Sequence, residues 1–122
     1  MTELKSKLIL LVEDHAPLRQ MLAMSLESLG YQVTAAATGD EALALLEGEL
    51  RPAMVLTDVR MPGRLNGLGL AQWIAANRPS IPVVLQTGFV SEPTNGYAVL
   101  RKPFSADELI AILDKTMACR AD

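Results

Sequence analysis

Cysteine and histidine are nearly missing from this chain of 122 residues, which has one of each. A single cysteine closes no internal disulfide and builds no cysteine-based zinc cage, so a reducing, cytoplasmic setting is expected. The one histidine, His15, has no serine or cysteine motif around it and is expected at a loop or helix start without a catalytic role. Basic charge is not in excess either. With 11 Lys and Arg against 14 Asp and Glu the net charge is −3, which argues against direct nucleic-acid binding, since phosphate backbones need a basic patch. Apolar runs such as Leu8–Val12 fall far short of the roughly 20 residues of a membrane span. The opening Met-Thr-Glu-Leu-Lys-Ser-Lys lacks the apolar core of a signal peptide. Eight glycines and seven prolines are too few for a collagen-like or linker composition. What is present is hydrophobic. Half of the residues are apolar and 20% are charged, so a core can form, and the length suits one domain over residues 1–122 with its core over about 7–118.

Apolar runs of strand length alternate with segments of helical period. Leu8–Val12 is continuous and aliphatic, as in a strand buried on both faces. Pro17 fits a first helical turn, Leu18, Met21, Leu22, Leu26 and Leu29 follow at helical spacing, and Gly30 is the stop. The methionines, Met21 and Met24 among them, are expected to fill the core or its edge. Gln32–Ala36 reads as a weaker second strand. Thr38-Gly-Asp-Glu41 is a capping box for a helix carrying Ala42, Leu43, Leu45 and Leu46 and ending at Gly48. Met54–Thr57 is a third strand. Asn66 is placed to cap a helix with Leu70, Ala71, Trp73 and Ile74 that ends before Pro79. Val83–Gln86 and Ala98–Arg101 are the fourth and fifth strands. Ser105-Ala-Asp-Glu108 is a second capping box, and Leu109, Ile110, Ile112, Leu113 and Met117 give the last helix its stripe. Only Gly88–Tyr97 lie between the fourth and fifth strands, room for a loop or a stub of helix.

Strands separated by helices imply a doubly wound α/β fold, a five-stranded parallel sheet with helices on both faces and the fourth helix shortened or absent, and the expected strand order is 2-1-3-4-5. All strand C-termini then lie on one edge. Glu13-Asp14, Asp58, Thr87 and Lys102 each directly follow a strand, so they converge there, beside the point where strand order reverses. Crowded carboxylates repel one another, and a hard divalent cation relieves the repulsion. Mg²⁺ suits oxygen ligands and keeps waters that a phosphate can replace. A carboxylate can also attack a phosphoryl group, giving an aspartyl phosphate, while Mg²⁺, Lys102 and the Thr87 hydroxyl stabilise the transferring oxygens.

Leu-Val-Glu13-Asp14, Thr57-Asp58-Val-Arg-Met61-Pro62-Gly63, Gln86-Thr87-Gly88 and Arg-Lys102-Pro103-Phe104 together resemble the receiver domains of two-component response regulators. The resemblance covers about Lys7 to Met117. Taken one at a time the motifs are bland: a solvated turn at Glu13-Asp14, a turn former at Asp58, a surface lysine, a Thr-Gly turn. Four in order, each at a strand end, are specific. The resemblance implies that Asp58 is the phosphoacceptor, Asp14 a direct metal ligand and Glu13 its neighbour acting through water. It also implies a metal contact from the Arg60 backbone carbonyl, a switch hydroxyl on Thr87, a phosphoryl-contacting Lys102 and a cis Lys102-Pro103 bond. The chain departs from the pattern in three places. Val99 stands where many receivers carry an aromatic switch residue, the Gly88–Tyr97 segment is short, and the Met61–Gly67 loop is one residue longer than the commonest form. These departures resemble stand-alone receivers and those of hybrid histidine kinases.

The expected function is therefore a phosphoacceptor in two-component signalling and not an enzyme. The implied partners are a histidine kinase or histidine phosphotransfer protein and an unidentified downstream protein, with the domain a monomer or weak dimer and neither nucleic acid nor membrane contacted. Alternatives are a module that docks a partner without phosphorylation, or a phosphatase working through an aspartyl phosphate. The second wants an acid two residues after the nucleophile, where this chain has Arg60.

Overall fold

The computed structural model describes residues 7–61, 63–88 and 97–118. Its elements are β1 (Leu8–Val12), α1 (Ala16–Ser28), β2 (Gln32–Ala36), α2 (Gly39–Glu47), β3 (Met54–Asp58), α3 (Gly67–Asn77), β4 (Val83–Thr87), β5 (Ala98–Arg101) and α4 (Ala106–Ala118). The five strands form one parallel sheet in the order β2-β1-β3-β4-β5.

Helix boundaries follow local chemistry. Pro17 occupies the first turn of α1, where its missing N–H costs nothing, and Gly30 closes the exit at φ +96°. The Thr38 side chain accepts from the Glu41 N–H at 3.0 Å and the Asn66 side chain from the Gly69 N–H at 2.8 Å. The second capping box closes in both directions, Ser105 Oγ accepting from Glu108 N–H and Glu108 Oε1 from Ser105 N–H, each at 3.1 Å.

Residue alternation along the strands sorts the apolar side chains into two cores. Ile9, Leu11, Met54, Leu56 and Val84 pack with Leu22 and Leu26 of α1 and Leu109 and Leu113 of α4. Leu10, Val12, Val55, Val83 and Leu85 pack with α2 and α3 on the other face. Trp73 half-covers that second core at the rim, with the Arg78 guanidinium 5.5 Å from its ring centre.

The structure corrects three expectations. β3 and β4 each run one residue further than their apolar runs suggest, because Asp58 pairs in register with Gln86 and Thr87 with Arg101. Met21 and Met24 are not core filler; they are 57% and 69% exposed, and Met21 lines an open cleft between α1 and Phe104. Leu29 caps α1 in the open instead of joining its buried face. The expected loop or stub helix between β4 and β5 falls on residues 89–96, outside the described residues. The Lys102-Pro103 bond is cis.

Candidate functional site

The shared strand direction brings Glu13, Asp14, Asp58, Thr87 and Lys102 to one edge of the sheet. Glu13 and Asp14 follow β1, Asp58 closes β3, Thr87 closes β4 and Lys102 follows β5. Backbone bonds continue the ladder past the strand ends. Glu13 N–H donates to the Ala36 carbonyl at 3.1 Å, Val59 N–H to Gln86 at 3.1 Å and Lys102 N–H to Thr87 at 2.8 Å. The functional side chains are thus carried on sheet backbone, which holds them more firmly than a free loop would.

One oxygen each from Glu13, Asp14 and Asp58 lies within 4.8 Å of the others. Glu13 and Asp58 are buried and Asp14 is exposed. The Lys102 ammonium bridges the buried pair, donating to Asp58 Oδ1 at 2.7 Å and Glu13 Oε1 at 3.1 Å. Glu13 Oε2 also accepts from the His15 N–H at 3.1 Å. Thr87 is buried beside them on β4, and Arg60, two residues beyond Asp58, is exposed.

These contacts divide the two carboxyl groups. Burial pushes Asp58 up, the neighbouring Glu13 carboxyl pushes it further, and Lys102 only partly opposes them, so Asp58 rises to about 7. Burial also pushes Glu13 up, but hydrogen bonds from Asp58, the His15 N–H and Lys102 outweigh it and hold Glu13 below its ordinary value. The Lys102 ammonium is disfavoured by burial, yet its bonds to Asp58 and Glu13 win and hold it above the usual lysine range. Three clustered carboxylates with one cation between two of them leave negative charge to neutralise, and the all-oxygen donor set fits a hard divalent metal ion.

Two residues beyond those singled out in the sequence shape the site. Arg19, one turn into α1, donates from Nη1 to the Glu13 carbonyl at 2.8 Å and ties that helix to the end of β1. Gly67 opens α3 so close to β3 that a Cβ there would overlap the Asp58 carbonyl oxygen. Its N–H donates to the Val59 carbonyl at 2.9 Å. A glycine next to a helix cap in the sequence is the signal for Gly67, but only the fold says what it abuts.

The family model for the response regulator receiver domain matches residues 9–114. This chain belongs to that family. The receiver is 35% identical over 109 residues to the C4-dicarboxylate transport transcriptional regulatory protein DctD of Rhizobium meliloti, covering 84% of this chain and 23% of DctD. A solved response regulator receiver protein from Sinorhizobium medicae superposes with a TM-score of 0.86 at 26% identity, covering 98% of this chain and 100% of that one. The receiver domain of a signal transduction histidine kinase from Syntrophus aciditrophicus gives a TM-score of 0.84 at 28% identity, covering 96% of each chain. The receiver spans 23% to 47% of the length of curated relatives such as DctD and the probable transcriptional regulator ycf27 of Cyanophora paradoxa. Its fold is the flavodoxin-like receiver fold, and its place is in two-component signalling. Among the described residues no helix is long and apolar enough to cross a membrane.

Proposed function

We propose that this receiver accepts a phosphoryl group on Asp58 from a histidine kinase or a histidine phosphotransfer protein. The observation that carries the reading is the Lys102 bridge, with its ammonium 2.7 Å from Asp58 and 3.1 Å from Glu13 at the sheet edge. An Asp58 carboxylate oxygen attacks the phosphorus of a phosphohistidine. The new O–P bond forms as the P–N bond breaks, and the imidazole leaves with the electron pair. Lys102 is already placed to balance charge on Asp58 and then on the phosphoryl oxygens, and the Thr87 hydroxyl can donate to one of them. Mg²⁺, held by Asp14 and Asp58, by Glu13 through water and by the Arg60 backbone carbonyl, would supply further neutralisation of phosphoryl charge. Water attack on the acyl phosphate returns the domain to rest.

The receiver acts as a stoichiometric acceptor and not as an enzyme. Arg60 occupies the position where an aspartyl-phosphate phosphatase wants its second acid. The added charge draws on Thr87 and Lys102 and shifts the balance of conformations at this edge, which a partner protein reads or which passes the phosphoryl group onward. We place it in the cytoplasm as a monomer or weak dimer. With a net charge of −3, the receiver itself is read by protein contact and not by direct DNA contact.

Borohydride trapping after acetyl phosphate and Mg²⁺ tests the assignment, because it reduces an acyl phosphate to the alcohol. Peptide mapping should find Asp58 converted to homoserine. Conversion at another carboxylate, with Asp58 intact, overturns the assignment.

A further inference from the structure

Gln86 is the anomaly of the sheet. It is fully buried, and among the described residues neither Oε1 nor Nε2 of its side chain has a partner. Buried amides are hydrogen-bonded as a rule, and an unpaired one lowers stability. Strand alternation fixes where it lies. Val84, two residues earlier, packs into the α1–α4 core, so Gln86 shares that face of the sheet. Asp58, two after Leu56, and Glu13, two after Leu11, share it as well. Gln86 is the register partner of Asp58 across the β3–β4 ladder. Neighbouring strands lie about 4.8 Å apart, so the two side chains leave adjacent backbone positions on the same face of the sheet.

Lys102 passes the same spot. It starts beyond β5, yet its ammonium reaches Asp58 on β3, so its stem crosses the end of β4. A Cβ on Gly88 would lie 4.0 Å from Lys102 Cβ, which marks where the stem begins that crossing. Gln86 is thus buried beside the phosphoacceptor and along the path of the lysine that serves it.

We propose that Gln86 is a positioning residue of the phosphoacceptor site: its amide stands idle at rest and engages the Asp58–Lys102 pair when Asp58 carries a phosphoryl group. The proposal rests on the phosphoacceptor function argued above. An amide offers both polarities. Nε2–H donates to an oxygen on Asp58, and Oε1 accepts from Lys102, two of whose three N–H groups serve Asp58 and Glu13 at rest. Added negative charge at Asp58 draws the amide protons toward it, and Lys102, drawn to the phosphoryl oxygens, turns its third N–H toward Oε1. Removal of the amide therefore acts on the two states with opposite sign. The resting fold loses an unpaired buried group and gains stability, whereas the phosphorylated state loses hydrogen bonds to charged groups. A merely structural glutamine would not split the two states in this way.

The test is Gln86→Met, which keeps the length and removes the amide. The variant should unfold at higher urea than wild type at rest. Its phosphoryl adduct, followed by intact mass after removal of acetyl phosphate, should decay about tenfold faster, the effect of one hydrogen bond to a charged group. In wild-type protein, beryllofluoride with Mg²⁺ should move one of the two Gln86 side-chain amide protons downfield in a ¹⁵N–¹H spectrum, a readout that holds even if the variant does not fold. Adduct lifetimes within about twofold of each other, or an amide resonance that does not move, overturn the role of Gln86 alone. A wild type that takes up no phosphoryl group overturns the function proposed above and this role with it.

Discussion

Lys102 holds two carboxylates at once, and the site's electrostatics turn on it. Lys102→Ala leaves Glu13 and Asp58 buried together with no cation between them. Phosphoryl uptake from acetyl phosphate should fall about a hundredfold, the usual scale for loss of one preorganised charge-stabilising donor. Uptake within about threefold of wild type would contradict the role. Asp58 supplies a pH signature. Its folded value is near 7 against an ordinary 3.8, so the folded, metal-free protein holds a proton that the unfolded chain has released. That contribution is complete below the unfolded value and is lost as pH rises through about 7. Glu13, held below its ordinary 4.5, works in the opposite sense, and its contribution is lost only as pH falls through its folded value. Urea midpoints in EDTA should therefore drop between pH 5 and pH 8, and Asp58→Asn should flatten the drop. An equal slope in both proteins would contradict the assignment. Mg²⁺ must displace the same proton, so its affinity should rise across that range.

At the scale of elements, the site depends on how closely α3 approaches β3. Gly67→Ala puts a methyl group into the Asp58 carbonyl, so helix or strand must shift. The expected cost is about 1–3 kcal/mol or more by urea denaturation, with phosphoryl uptake reduced as well. Gly48→Ala is the control, since a Cβ there meets nothing closer than 3.5 Å. Equal stability of the two variants would show that the contact is not tight. Strands, caps and convergence of polar residues were legible in the sequence, because apolar runs, Thr38, Asn66 and Ser105 act locally and parallel strands share one end. The last residues of β3 and β4 were not, since Asp58 and Thr87 are polar and their place in the ladder comes from their neighbours in register. Gly67 escaped notice for a related reason: what a missing side chain makes room for is a tertiary fact.

For the whole molecule, the sheet divides two cores, one closed by the consecutive helices α2 and α3 and the other by α1 and α4 from opposite ends of the described chain. Leu113→Ala in the α1–α4 core should cost about 2–5 kcal/mol, while Met24→Ala, at a position 69% exposed, should cost almost nothing. A large loss at Met24 would mean that the exposed side of α1 is covered in solution. Helical spacing alone placed Met21 and Leu29 with Leu22 and Leu26, but the sheet covers a stripe narrower than the apolar face of α1. The two-faced architecture was readable because continuous aliphatic runs leave no polar face to expose, whereas the strand order does not follow from those runs and was an expectation of the doubly wound fold. Asp58 is the residue on which the signalling chemistry turns, and intact-mass spectrometry after acetyl phosphate, with and without Mg²⁺, on wild type and Asp58→Asn, is its decisive test. A single phosphoryl adduct that requires both Mg²⁺ and Asp58 is expected. No adduct on wild type under any condition, or an equal adduct on Asp58→Asn, would contradict it.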